Sequence, residues 1–239
     1  MVVYNVNMSN MKQGSDQFNY TDGHENKIDP SMFEKDYVLK DDQEQNKPQY
    51  KTDNFTEKIG PGPESIKITK NFMTDSEANI LETLCNVIYK QKDEDPVIKK
   101  MAYNIIEEYK QKILLKAESL FDTSLEYDLL ANETHSWNNN LNARPPGFET
   151  SVHTDNFDKG HRDYPWSGQI SNLIYLNDNY LGGEIYFPQH KLKIKPEKGM
   201  LISFPGNWNN RHGIIPASDF RYALSVFLKI SDFKVIQIN

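Results

Sequence analysis

Apolar positions change their spacing twice along this chain, and the two changes divide it into three parts. Over residues 1–60 Asn, Gln, Asp, Lys and Ser dominate, and the aromatics Phe18, Tyr20, Phe33 and Tyr37 occur singly with no sustained period. Such a stretch buries too little apolar surface to offset the entropy lost on ordering. The expectation is a largely irregular polar extension, either a free arm or a segment laid across the domain through those aromatics. Gly60-Pro61-Gly62-Pro63 then breaks any regular structure, which places the boundary there: an extension over 1–60 and one domain over 61–239.

After the break the apolar residues take up helical spacing. Ser65 to Lys70 reads as a short strand. Thr74-Asp75-Ser76-Glu77 has the capping-box pattern, in which the side chains at the two ends satisfy free amide donors of a first helical turn. A helix is expected from there to Tyr89, with Ile80, Leu81, Leu84, Val87 and Ile88 on one face. Pro96 suits the first turn of a second helix, carried by Ile98, Met101, Ala102, Ile105, Ile106, Tyr109, Ile113, Leu114 and Leu120. Beyond Phe121 the texture shifts to short strand-like runs at 125–137, 169–176, 184–187, 192–194, 199–204 and 221–230, separated by Gly, Pro and Asn-Asp turns. Short strands of this kind predict an antiparallel sandwich or jelly roll, with the two helices covering one face. The fold class is therefore α+β, mainly β, with no internal repeat.

Composition narrows the setting. The 239 residues are 37% hydrophobic, enough for one substantial core and appendages. No apolar run approaches the roughly 20 residues that span a bilayer, and the amino terminus lacks a basic region followed by a hydrophobic stretch. The single cysteine, Cys85, lies in an apolar helical run and has no internal partner for a disulfide. Together these predict a soluble, cytoplasmic protein with no membrane partner. A net charge of -7 opposes broad binding to nucleic-acid phosphates, because that affinity comes from Lys and Arg.

The candidate chemistry lies between Ser151 and Arg221. In a strand, residues i and i+2 project to the same side, so His153 and Asp155 can grip one ion together. His212 supplies a third ligand from a distant strand. Two histidines and one carboxylate on one face of an octahedron form the triad of non-haem Fe(II) oxygenases, with the opposite face open. Arg221, a planar and permanently charged guanidinium, can hold a carboxylate through two parallel hydrogen bonds. His24, His135, His161 and His190 lack this constellation and read as structural, although His161 falls in a loop, Asn156 to Gly168, that would overhang the site. Gly182 and Gly183 read as a tight turn that launches a strand, with no phosphate-binding role because no helix follows. Trp208 reads as packing.

At these residues the chain resembles the 2-oxoglutarate- and Fe(II)-dependent dioxygenases, most closely the prolyl 4-hydroxylase group. The resemblance is carried by His153-Thr154-Asp155-Asn156, Asn172-Leu173-Ile174-Tyr175-Leu176-Asn177, Gly182-Gly183-Glu184-Ile185-Tyr186-Phe187-Pro188, and His212 through Arg221-Tyr222-Ala223-Leu224-Ser225. The interval from His212 to Arg221 matches the hypoxia-factor prolyl hydroxylases, and the likeness spans residues 66–230. It implies a double-stranded β-helix flanked by N-terminal helices, with Fe(II) on His153, Asp155 and His212. It further implies 2-oxoglutarate as cosubstrate, with Arg221 on its distal carboxylate and ascorbate as a candidate reductant. Tyr175 aligns with a tyrosine that helps hold that carboxylate; the alternative is an ordinary core tyrosine. The family's tyrosine on the strand entering the metal pair is missing near Ala143 and Arg144, which implies a different pocket wall.

By this resemblance the expected activity is hydroxylation of a proline within a peptide or protein, giving succinate and CO2. The same chemistry on a nucleobase, a free amino acid or another small molecule is the alternative within catalysis, since a fold does not specify its substrate. A non-catalytic jelly-roll binding or assembly module is the alternative outside it, and that class has no need of the four site residues together.

Overall fold

The computed structural model describes residues 37–39, 59–60, 62–89, 96–128, 132, 140–155 and 169–231. Ten strands and two long helices make up the described fold. Strands β1 (Lys67–Thr69), β2 (Leu125–Tyr127), β3 (Leu141–Arg144), β5 (Gln169–Tyr175), β8 (Leu201–Pro205) and β10 (Arg221–Ile230) form one antiparallel sheet in the order β1-β8-β5-β10-β2, with β3 also paired to β10. Strands β4 (Thr150–His153), β6 (Ile185–Phe187), β7 (Leu192–Ile194) and β9 (His212–Ile214) form the second, ordered β4-β9-β6-β7. Two facing antiparallel sheets reproduce the expected jelly roll.

Helices α1 (Asp75–Tyr89) and α2 (Pro96–Phe121) cover the outer face of the six-stranded sheet. The capping box forms as its spacing requires. Glu77 N–H donates to Thr74 Oγ1 at 3.3 Å, and Thr74 N–H donates to the Glu77 carboxylate at 3.1 Å. Tyr109 of α2 donates its hydroxyl to the same carboxylate at 2.7 Å, so the start of α1 is tied to the middle of α2. The α2 residues buried on the sheet are Ala102, Ile106, Tyr109, Ile113, Ala117 and Phe121, steps of three or four that keep one face inward. Met101, expected in that face, is 45% exposed, because Ala102 takes the inward position beside it. Cys85 is buried in this core, as expected.

Strand alternation assigns each face of the large sheet. Ile170, Ile174, Leu201, Tyr222, Leu224, Val226 and Leu228 face the helices. Leu173, Tyr175, Ile202, Phe204 and Ala223 face the other way, where they meet Ile185, Phe187, Ile194 and Ile214 of the small sheet. The functional residues sit in this second core.

Local details differ from the sequence expectation, among them the strand expected over 199–204, which runs Leu201–Pro205. The strand expected from Ser65 starts at Lys67, because Pro63–Ser65 forms a turn of 3-10 helix. The strand expected over 125–137 is regular only at Leu125–Tyr127, and most of its remainder lies outside the described residues. The segment entering the metal pair is two strands in two sheets, β3 and β4, separated by a turn in which Gly147 has φ 72°. That turn carries the chain from the large sheet to the small one.

Part of the polar extension belongs to the folded body. Leu39 packs with Val152 and Ile215, and with Tyr37 and Tyr186, on the outer face of the small sheet. Tyr37 donates its hydroxyl to Glu149 at 2.5 Å, and its carbonyl accepts from the Lys193 ammonium. The rest of the extension, the overhanging loop Asn156 to Gly168, and His24, His135 and His161 lie outside the described residues.

Candidate metal centre

His153 ends β4 and His212 begins β9, and the two are register partners across the small sheet. Their rings therefore meet, with centroids 4.6 Å apart. Asp155, two residues past His153, completes the group: its carboxylate oxygens lie 3.3 Å from His153 Nε2 and 3.5 Å from His212 Nε2. One ligand atom from each residue falls within 4.8 Å of the others, a spacing that one metal ion could bridge.

The backbone sets the tautomer of both rings. His153 Nδ1 lies 2.7 Å from the Ser151 carbonyl, and His212 Nδ1 lies 3.1 Å from the Asn210 carbonyl. A carbonyl only accepts, so each Nδ1 carries the proton and each Nε2 presents its lone pair inward. Outer partners of this kind orient imidazole ligands in metal sites. This donor set, two neutral imidazole nitrogens and a carboxylate, fits Fe(II).

Electrostatics follow from depth. His212 is 3% exposed and is walled by Phe204 and Phe187, with ring centroids 4.7 and 5.6 Å away. Burial among these rings pushes its pKa down to about 4, against the pull of Asp155. His153 is more open; burial lowers its pKa too, but the Asp155 carboxylate outweighs this and the net shift is upward. Burial alone would raise the Asp155 carboxyl, yet the two histidines hold it far below the usual carboxylate range. Asp155 is thus an anion and His212 a neutral base, both states that ligation requires. Gly206 makes room for that carboxylate: a Cβ there would lie 3.2 Å from Asp155 Cβ and 3.2 Å from Ser171 Oγ.

Arg221 begins β10 and is 6% exposed in the same inter-sheet space. Its guanidinium carbon lies 5.4 Å from the centroid of the Tyr175 ring. Asn177 fixes the backbone on both sides of it, accepting from Tyr222 N–H at 2.9 Å and donating to the Phe220 carbonyl at 2.8 Å. Arg221 Nε and Nη1 and the Tyr175 hydroxyl are buried without a hydrogen-bond partner. Donors left this way are costly unless a ligand supplies an acceptor.

On the other side of Arg221, its cross-strand partner is Arg144. Ala143 belongs to the core under the helices, so Arg144 projects from the opposite face of β3, and its charge opposes protonation of His153. The residue on this face of β3, where the tyrosine is missing, is therefore Arg144. His190 is structural as expected, with Nε2 3.1 Å from Asn210 Oδ1. Trp208 packs as expected, under the Arg211 guanidinium at 4.0 Å.

Comparison with known proteins identifies this arrangement. Residues 139–229 match the family described as the 2OG-Fe(II) oxygenase superfamily, a span that contains all three members of the cluster and Arg221. These residues form a 2OG-Fe(II) oxygenase domain. The enzyme uses Fe(II) and 2-oxoglutarate. Among solved structures, the oxygenase is similar to a prolyl 4-hydroxylase from Phytophthora capsici, with 16% identity and a TM-score of 0.50 over 74% of this chain and 64% of that one. That likeness shows the shared jelly-roll fold. A Pseudomonas putida prolyl-4-hydroxylase is similar at 15% identity and a TM-score of 0.49, over 78% of this chain and 98% of that one. The viral collagen prolyl hydroxylase of Paramecium Bursaria Chlorella virus-1, solved with 2OG, is similar at 18% identity and a TM-score of 0.47, over 70% and 96%. No curated protein sequence matches the oxygenase. Among its described residues, no helix is long and apolar enough to cross a membrane.

Proposed function

We propose that His153, Asp155 and His212 hold the Fe(II), that Arg221 with Tyr175 anchors the distal carboxylate of 2-oxoglutarate, and that the oxygenase hydroxylates proline within a peptide. The observation that carries the site assignment is the convergence of two inward Nε2 atoms on one carboxylate, beside a buried guanidinium whose Nε and Nη1 lack acceptors. When bound, Fe(II) and 2-oxoglutarate supply the activation of O2 that hydroxylates an unactivated C–H bond and releases succinate and CO2.

The chain's own residues do the rest. The carbonyls of Ser151 and Asn210 keep both imidazoles in the tautomer that binds through Nε2. Arg221 neutralises one end of the cosubstrate dianion and Asp155 part of the metal charge, so the formal charges of iron, Asp155, cosubstrate and Arg221 cancel. A closed pocket accepts a balanced set far better than an unpaired ion. Asn177 prevents the Arg221 backbone from shifting, which keeps the cosubstrate in one orientation. Phe187 and Phe204 exclude water behind His212.

Peptidyl proline is supported by the sequence likeness at Tyr175, at Gly182 to Pro188 and at His212 to Arg221, and the similar solved structures are themselves named as prolyl hydroxylases. Proline also suits an extended groove, because its fixed φ lowers the cost of ordering its neighbours. The test measures succinate formation with proline-rich peptides, matched alanine peptides, free proline and single-stranded DNA, followed by location of the added oxygen. Stimulation confined to the proline peptides is the expected result. Stimulation by free amino acid or DNA alone moves the substrate to another class and leaves the iron assignment standing.

A further inference from the structure

Tyr180 lies on the connection from β5 to β6, where the sequence shows a tight glycine turn. Gly183 in that turn has φ +74°, and a Cβ on it would come within 2.4 Å of Tyr180 Cε2, 3.0 Å of Cδ2 and 3.3 Å of Ala217 Cβ. Glycine is required here twice over, for the left-handed backbone and because the Tyr180 ring fills the space a side chain would take. The Lys195 ammonium lies 4.6 Å from the centroid of that ring. It also donates to the Tyr180 carbonyl at 2.9 Å and to the Gly182 carbonyl, closing the turn. Gly183 N–H donates to the Pro216 carbonyl at 3.0 Å, and Leu181 N–H donates to Ser218 Oγ at 2.8 Å, so the turn is pinned to the segment leading into Arg221.

The ring is thus held on several sides, and what it positions is a hydroxyl. Tyr180 is 6% exposed, and its hydroxyl is buried without a hydrogen-bond partner. Arg221, Tyr175, Asp178 and Glu184 lie within electrostatic reach of it, and Arg221 Nε and Nη1 and the Tyr175 hydroxyl are likewise buried without a partner. Burial raises the Tyr180 and Tyr175 phenols well above their ordinary range although Arg221 pulls both back, so each remains an O–H donor at neutral pH. Among the described residues, the Tyr180 and Tyr175 hydroxyls and Arg221 Nε and Nη1 are thus buried donors without an acceptor. A carboxylate has about four acceptor positions, enough for a bidentate guanidinium and two hydroxyls.

We propose that Tyr180 is a third donor to the distal carboxylate of 2-oxoglutarate, beside Arg221 and Tyr175. The inference rests on the cosubstrate site described above. It assigns a role to Gly183 as well: the glycine admits the ring that carries the hydroxyl.

The experiment is calorimetric titration of the Fe(II)-loaded full chain without O2, using 2-oxoglutarate and 2-oxovalerate, which replaces the distal carboxylate with a methyl group. Tyr180→Phe keeps the ring and removes only the hydroxyl. It is expected to weaken 2-oxoglutarate about 10-fold, as loss of one charge-assisted hydrogen bond does, with 2-oxovalerate and Fe(II) affinities unchanged. A change for 2-oxoglutarate below about 2-fold, or an equal loss for both acids, overturns the proposal. Should Tyr180→Phe fold poorly, Tyr175→Phe serves instead. Its near-ultraviolet tyrosine difference spectrum should still respond to 2-oxoglutarate and not to 2-oxovalerate, and a silent spectrum overturns the proposal. Arg221→Ala separates the two levels. If it too leaves 2-oxoglutarate affinity intact, the cosubstrate site itself is misassigned; if it weakens binding while Tyr180→Phe does not, only the role of Tyr180 falls.

Discussion

His153 and His212 are register partners across β4 and β9, and their ring centroids are 4.6 Å apart although the chain between them crosses both sheets. This pairing brings His212 beside the local His-x-Asp pair, and under the proposed assignment each of the three is an indispensable ligand. Alanine at His153, Asp155 or His212 is expected to abolish metal retention and succinate formation, while circular dichroism reports the native fold. Zn(II) should occupy the wild-type site without turnover, because it has no accessible redox change. Full activity in any one of the three variants contradicts the assignment.

Arg221→Ala is expected to weaken 2-oxoglutarate binding by about 1.5–3 kcal/mol, the worth of a hydrogen bond to a charged group. Metal affinity should stay unchanged, since the guanidinium is no part of the His-Asp-His cluster. Arg221→Lys should recover only part of the loss, because a point charge lacks the planar fork. Separate titrations of metal and cosubstrate check this, and an equal loss in both would mark a structural arginine.

Glu77 connects helix capping to pH. Burial raises its carboxyl, but hydrogen bonds from Thr74 and Tyr109 outweigh that and the net shift is downward. A depressed folded-state pKa contributes stability above the ordinary carboxylate range and loses it as pH falls through the folded value. Glu77→Gln should therefore cost about 1 kcal/mol at neutral pH, with the gap to wild type closing in acid. Urea denaturation at the two pH values measures it, and a gap that persists in acid would rule out the linkage.

Leu39 covers the back of the strands that bear both histidines. A Cβ on Gly213, between His212 and Ile214, would lie 2.5 Å from Leu39 Cδ1. Leu39→Ala should cost about 2–3 kcal/mol by the usual large-to-small penalty, read as a lower Tm. Deleting residues 1–58 should likewise lower Tm yet leave a domain that still couples 2-oxoglutarate to succinate, because every proposed ligand lies beyond Gly62. Loss of folding on deletion would make the extension an integral part of the core.

What the sequence determined by itself was everything set by local geometry. Thr74 and Glu77 are three residues apart, so their reciprocal cap was legible, and so were the two helices that follow it. His153 and Asp155 are two apart in an extended segment, and Arg221 opens a long apolar strand, so their candidacy could be read from residue type, order and spacing. The tertiary structure alone decided what depends on which strands become neighbours. Nothing local shows that the Ser151 and Asn210 carbonyls set both imidazole tautomers, because that requires each ring to be turned inward by its sheet. Nothing local shows the break between Arg144 and Thr150 that moves the chain from one sheet to the other. Leu39 lacks any periodic context, yet it finds Val152 and Ile215 once the small sheet exists to present them. Tyr180 stands three residues before a visible Gly-Gly turn, but its value depends on Ala217, Lys195 and Arg221, which reach it only through the packed fold. Periodicity and capping act within a few residues along the chain, whereas a pocket is made by side chains that are distant in sequence and meet only when both sheets close on the same core.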